Sequence, residues 1–383
     1  MTARPFRAAL ALALVAFAAG VACTPATRAE VFETSAGPVD VTAVGPVFEH
    51  PWAVAFLPDF ATTGALLVTE RPGRLTLVTR DGARAIEGLP EIYAEGQGGL
   101  LDVALSPDFA QTGVLHLTYA APVGGGRANT HVARARLDRE AGRLVDLEVV
   151  LAMETNERGG RHFGSRLAHA PDGTLFVTMG ERGNRPSAQD PMAANGKVHR
   201  ILPDGAIPQD NPYVGGGGLP SVWSIGHRNP QGAAVDPQTG TYWVVEHGAR
   251  GGDEINLPKP GANFGWPEAS YGTHYSGRDF PRDGAAPGIE APVHYWDPSI
   301  APSGLAVYRG DLFPQWDGDL LVGALKFEKI VRLDMQDGEV VGQEDLVPDA
   351  FGRIRDVRAG PDGAIWFLTD EAEGRLLRMA PAD

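Results

Sequence analysis

The 383-residue chain sets 33 Lys and Arg against 48 Asp and Glu, a formal charge of −15, and holds one cysteine. The charge argues against nucleic acid or an anionic membrane surface as the main partner. A single cysteine excludes a disulfide framework and a Cys-rich zinc or iron–sulfur site. With 43% apolar residues the chain can build a large core, and 49 glycines and 31 prolines punctuate it as short strands joined by turns.

At the N-terminus, Arg4 and Arg7 precede an apolar run from Ala8 to Ala22. This is the pattern of a secretory signal over residues 1–22. The run is short for a bilayer span, and nothing comparable follows, so no membrane span is expected. Cys23 follows Gly20-Val21-Ala22, the setting of a lipoprotein processing site and equally of ordinary cleavage. Either way the protein works in the periplasm or is secreted, with a lipid anchor at Cys23 under the first reading. Residues 23–35 read as a flexible tether, and 36–383 as a single domain.

From there one pattern recurs: an apolar stretch, a Pro-Asp or Asp-Pro turn, then a short apolar strand. It appears at Ala53–Asp59, Asp102–Asp108, Arg166–Glu181, Gly232–Gly248, Gly304–Leu325 (a looser copy) and Asp356–Glu371. Alternating apolar residues suit half-buried strands, and Pro-Asp-Gly supplies the turn because Pro presets φ and Gly accepts positive φ. A lone hairpin cannot bury its apolar faces, so the copies must stack. The expected fold is all-β, a six-bladed β-propeller of four-stranded antiparallel blades. Val39–Phe48 is expected to close the ring beside Leu376–Met379, removing two exposed edges.

Polar, Gly-rich loops flank the repeat strands. His162 sits in Gly159–Gly164, where a histidine near neutrality suits a general base. His247–Glu254 is Gly-rich and acidic, able to offer calcium both carbonyl and carboxylate oxygen, without EF-hand spacing. Arg228, Lys326, Arg353 and Arg355 stand out in an acidic chain; cations converging on one mouth would bind a small polyanion. Arg353 and Arg355 flank Ile354 and so share one strand face. No P-loop, HExxH, nicotinamide or flavin fingerprint or G-x-S-x-G elbow occurs.

The segments HPWAVAFLPD (50–59), GQGGLLDVALSPDF (96–109), HFGSRL (162–167), SIGHRNPQG (224–232), EHGARGGDEIN (246–256), NFGWP (263–267), GALK (323–326) and RIRDVRAGPDG (353–363) run in order through the chain. Together they resemble the soluble sugar dehydrogenases that depend on pyrroloquinoline quinone (PQQ), most closely the periplasmic aldose sugar dehydrogenase branch. The resemblance implies oxidation of an aldose at C1 to a lactone, with electrons passed to an external acceptor: a quinone, a cytochrome or a dye. It implies His162 as base and Gln97 near the reacting oxygen. Arg228 and Asn229 would stand on the quinone side, with Arg228 facing developing negative charge. Lys326, Arg353 and Arg355 would lie on the PQQ carboxylates. It further implies Ca2+ on the carbonyls of Gly248 and Ala249, and a second, structural calcium near Glu254 and the carbonyl of Phe264. Arg161 stands where the glucose-oxidising branch has an acidic residue, which bears on substrate preference. Glu181 and Arg182 fall where that branch has a polar pair and receive no role. Two other readings compete: a calcium-dependent lactonase-type hydrolase, and a non-catalytic binding propeller.

Overall fold

The computed structural model describes residues 30–382 apart from 156, 283 and 285. The signal segment 1–22, Cys23 and the first part of the tether lie outside the described residues. The tether expected over 23–35 is, from Glu30 on, partly a strand: Glu30–Thr34 pairs antiparallel with Gly37–Phe48. Only Val31 and Phe32 are apolar in this stretch, too short a run to mark a strand, and pairing with a neighbouring strand supplies the order instead.

Five sheets have four strands, and one has five. Each is an antiparallel blade whose first strand lies innermost: Pro51–Phe56, Leu100–Leu105, Gly164–His169, Pro230–Val235, Pro302–Val307 and Ile354–Ala359. Ring closure is as expected. In the sixth blade Gly37–Phe48 pairs with Gly374–Pro381, Val44 opposite Leu376 and Val41 opposite Met379. The Pro-Asp turns all lie at one mouth. There Gly64 and Gly113, at φ 68, end the short helices Phe60–Thr63 and Phe109–Thr112.

The second strand of each blade departs from the expected half-burial. Leu66–Glu70, Leu175–Met179 and Ile365–Thr369 are buried at every position. The reason is the ring. Leu66 and Val68 pack toward the sixth blade, whereas Leu67, pointing the other way, packs toward the second. Likewise Leu175 and Val177 face the second blade while Phe176 faces the fourth. Apolar clusters of this kind lie between every pair of adjacent blades. A strand sandwiched between two neighbours needs a continuous apolar run.

The channel itself is charged. Arg166 Nη1 lies 3.1 Å from carboxylate oxygens of both Asp102 and Asp356, and Arg358 bridges the same two aspartates at 3.1 and 2.9 Å. Trp52 lies under the Arg166 guanidinium, 4.2 Å from its ring centroid. Two cations and two anions thus neutralise one another where the inner strands converge.

Candidate functional site

The mouth opposite the Pro-Asp turns carries the loops that enter each inner strand and those joining second to third strands. His162 lies just before the inner strand of blade three, in the left-handed region at φ 54. Gln97 holds it there, its Oε1 accepting the His162 N–H at 2.7 Å. A Cβ on Gly180 would lie 2.1 Å from the His162 carbonyl oxygen, so only glycine allows this approach. The ring Nδ1 meets Glu181 Oε1 at 2.8 Å. Glu181 is 1% exposed and is itself held through Gly183 N–H and through its own N–H to the Arg228 carbonyl. With Nδ1–H donating to the carboxylate, Nε2 keeps its lone pair. Burial pushes the His162 pKa below the ordinary value; the Glu181 contact opposes this, and the Arg228 charge adds to it. Burial thus favours the uncharged ring.

Arg228 arrives from the next blade. Its backbone N–H donates to Glu246 Oε2 at 2.7 Å, and the other oxygen of that carboxylate holds His227 at 2.7 Å. The guanidinium faces Trp266 at 5.1 Å and reaches Tyr275 Oη at 3.3 Å. Its Nε is buried without a partner. Asn229 Oδ1 accepts the Gly164 N–H at 3.2 Å, which places Asn229 beside the His162 loop.

Gly248, Ala249, Tyr275 and Lys326 line one cavity of about 580 Å³. Asp253 fixes its floor: Oδ1 accepts from Gly248 N at 2.8 Å and Ser299 Oγ at 3.0 Å, and Oδ2 accepts from Ala301 N at 2.9 Å. Arg353 donates to the carbonyl of Leu325, the residue before the cavity-lining Lys326, at 3.2 Å. Arg353 and Arg355 do share a face, and both meet Asp370. Arg355 is further tied to Gln231 Oε1 at 2.9 Å, leaving its buried Nε without a partner. Asp370 also takes His50 at 3.1 Å and Arg71 at 3.9 Å. Burial pushes the Asp370 carboxyl up, but the Arg355 and Arg71 charges and the hydrogen bonds from Arg355 and His50 outweigh it and hold the carboxyl well below the usual range. One carboxylate shared by three arginines leaves excess positive charge around Asp370.

Glu254 and Phe264 stand apart from that cavity, around a void of only about 10 Å³. Glu254 is buried beside Glu246 and Asp253, and its Oε2 accepts from Asn256 Nδ2 at 3.3 Å. Burial first, then repulsion from Glu246, pushes its pKa well above the ordinary value. Among the described residues no cluster of three or more His, Cys, Asp or Glu side chains is arranged to hold a metal.

The site therefore gathers Gln97, His162, Arg228 and Asn229 on one side and Gly248, Ala249, Lys326, Arg353 and Arg355 on the other. Sequence reasoning missed Arg71, Asp253, Tyr275 and Asp370 and left Glu181 without a role. A signal for the acids existed: Glu70, Glu181, Glu246 and Asp370 recur at or just after the end of a blade's second strand. Each receives a hydrogen bond from a loop leading into an inner strand, as Glu70 does from the Glu49 N–H at 2.7 Å.

Residues 48–378 match the family described as Glucose / Sorbosone dehydrogenase. Aldose sugar dehydrogenase YliI of Escherichia coli (strain K12) is 41% identical over 348 residues, covering 90% of this chain and 93% of the relative. The crystal structure of a glucose dehydrogenase superposes with a TM-score of 0.85 at 46% identity, covering 90% of this chain and 99% of the other. The PQQ-bound form of aldose sugar dehydrogenase from Streptomyces coelicolor aligns with a TM-score of 0.74 at 27% identity, covering 89% and 98%. Matches of this extent, on a six-bladed ring with this arrangement of loops, show that the chain belongs to the glucose/sorbosone dehydrogenase family.

Proposed function

We propose that the chain oxidises aldose sugars at C1 to lactones, using PQQ and Ca2+ and passing the electrons to an external acceptor. The observation that carries this reading is His162, aligned at 2.8 Å by buried Glu181, on the mouth where three arginines share Asp370. The donor set suits the cofactor. PQQ is a tricarboxylate, and the mouth offers Lys326, Arg353 and the unpartnered Nε of Arg355. Calcium favours oxygen ligands including backbone carbonyls; Gly248 is pinned by Asp253, and Ala249 lines the same cavity. The buried Glu254, without a cationic partner among the described residues, suits the second calcium together with the Phe264 carbonyl.

His162 Nε2 takes the proton of the anomeric hydroxyl. Glu181 holds the ring in that tautomer and stabilises the imidazolium once the proton has moved. Gln97 holds the His162 backbone, and Arg228 faces the negative charge that develops as C1 is oxidised. The chemistry the cofactor supplies when bound is acceptance of the hydride from C1 at a carbonyl polarised by calcium. A lactonase would need carboxylates on the axis free to hold calcium; Asp102 and Asp356 there are already neutralised by Arg166 and Arg358. Residues 1–22 would export the chain, with Cys23 the point of attachment if it is lipidated. Among the described residues no helix is long and apolar enough to cross a membrane.

Adding PQQ and Ca2+ to the purified protein and assaying dye reduction with a panel of aldoses tests the reading. Turnover that requires both additions supports it, and the panel ranks the sugars. Absence of turnover together with absence of PQQ binding refutes it.

A further inference from the structure

We infer that Lys197 is a positioning residue for His162, acting as a built-in cation beneath the loop that carries Glu181. This rests on the reading of His162 as base. Lys197 opens the third strand of blade three, Lys197–Ile201, and is 0% exposed. Its Nζ donates to the carbonyls of Ser187, Ala188 and Asn195 at 2.7, 3.1 and 2.9 Å. Three N–H groups meet three acceptors, so the ammonium is fully satisfied by backbone alone. Burying an ammonium on carbonyls is costly, and burial pushes its pKa to about 7, with Asp190 opposing the shift.

What that cost secures is the geometry of two loops. Asn195, whose carbonyl binds the ammonium, donates through Nδ2 to the Glu181 carbonyl at 2.9 Å and to Ser187 Oγ at 2.5 Å. Glu181 in turn holds His162 at 2.8 Å. The Ala188 carbonyl accepts both the ammonium and the Gly226 N–H, the latter at 2.8 Å, and Gly226 belongs to the loop that carries Arg228 and Asn229. One cation thus ties the support of the base to the support of the arginine facing it. The 3₁₀ turn Arg185–Gln189 has no cationic side chain in its last turn to meet its carbonyls, and Lys197 reaches in from the sheet to do so.

The test compares Lys197→Met, Asn195→Ala and the reference variant Glu181→Gln in the full chain. The first readout is the imidazole titration of His162 by NMR without cofactor. The groups acting on that ring are Glu181, Arg228 and Arg161. Loss of the Glu181 contact removes the opposing influence, so the His162 pKa should fall in all three variants. In the reconstituted enzyme kcat should fall at least about tenfold with KM little changed, and the acid limb of kcat/KM should move to lower pH. Wild-type titration and kcat in Asn195→Ala would overturn the inference, whether or not Lys197→Met folds. If His162→Ala keeps its turnover the base reading fails, yet the NMR titration still reports whether Lys197 and Asn195 govern His162.

Discussion

The two mouths of the propeller are built from one repeat and end up chemically opposite. At the mouth with the Pro-Asp turns, acids are matched locally: Asp172 with Arg200 at 2.9 Å, Asp236 with Arg309 at 2.7 Å, Asp362 with Arg378 at 2.7 Å. The hollow between them, about 710 Å³, is lined by apolar strand ends such as Phe56, Leu105, Val235 and Val307. At the other mouth the cavity is smaller, about 580 Å³, and charge is left over in both signs: excess arginine around Asp370, and Glu254 without a cation. The larger hollow is thus the chemically quieter one. Turns that only need to close a hairpin can satisfy their charges within it. Loops that hold an ionic ligand keep charges unmatched until it binds, and pKa values shift there accordingly.

Substitutions at the two mouths sharpen this contrast. The largest effect belongs to His162→Ala, which should cost about 10²- to 10⁴-fold in turnover while PQQ remains bound. Single-turnover reduction and an equilibrium binding titration would separate the two quantities, and turnover within a few-fold of wild type would remove the base. Next comes loss of the cationic wall. Arg355→Ala and Arg353→Ala should each weaken PQQ, by about 1.5–3 kcal/mol for a charge-assisted contact. Arg353 should fall at the low end, because its side chain is 45% exposed against 7% for Arg355. Equal PQQ affinity in the double variant would place the polyanion elsewhere.

The smallest effect is expected at the quiet mouth, on stability alone. Both ring nitrogens of His169 are buried without partners, and burial pushes its pKa to about 4. The unfolded chain therefore binds this proton more readily than the folded one. Its contribution is intact above pH 6.5 and is lost as pH falls toward 4, with a slope below about 1.4 kcal/mol per pH unit. Melting curves of His169→Leu across that range should be flatter than those of the wild type, with PQQ-dependent turnover unchanged. A turnover loss would mean that the two mouths are coupled through the channel.

Much of the fold was legible in the residues because its punctuation is local. Pro-Asp-Gly closes a hairpin whatever surrounds it, and the spacing of such turns implied stacked copies. The strand Val39–Phe48 was readable as the closing strand because a ring leaves one edge to be covered. Burial on both faces was not readable. Leu66-Leu67-Val68 becomes a doubly packed strand only when a blade stands on either side. Nor did Glu30–Thr34 announce itself, since its order comes from pairing with Gly37–Phe48.

The site divides in the same way. Residue types and their motifs pointed to His162, Gln97, Arg228, Lys326 and the Gly-rich carbonyl loop, because those positions lie in short, distinctive segments. Their partners are distant in the chain: Glu181 is 19 residues from His162, Asp370 is 320 from His50, and Gln231 is 124 from Arg355. Sequence alone determined which chemical groups the protein carries and that its hairpins must stack. Only the tertiary structure decided which carboxylate holds His162, which arginines share one acid, and that Lys197 is spent inside the fold. Those choices depend on burial and on pairing across blades, and neither has a counterpart in sequence spacing.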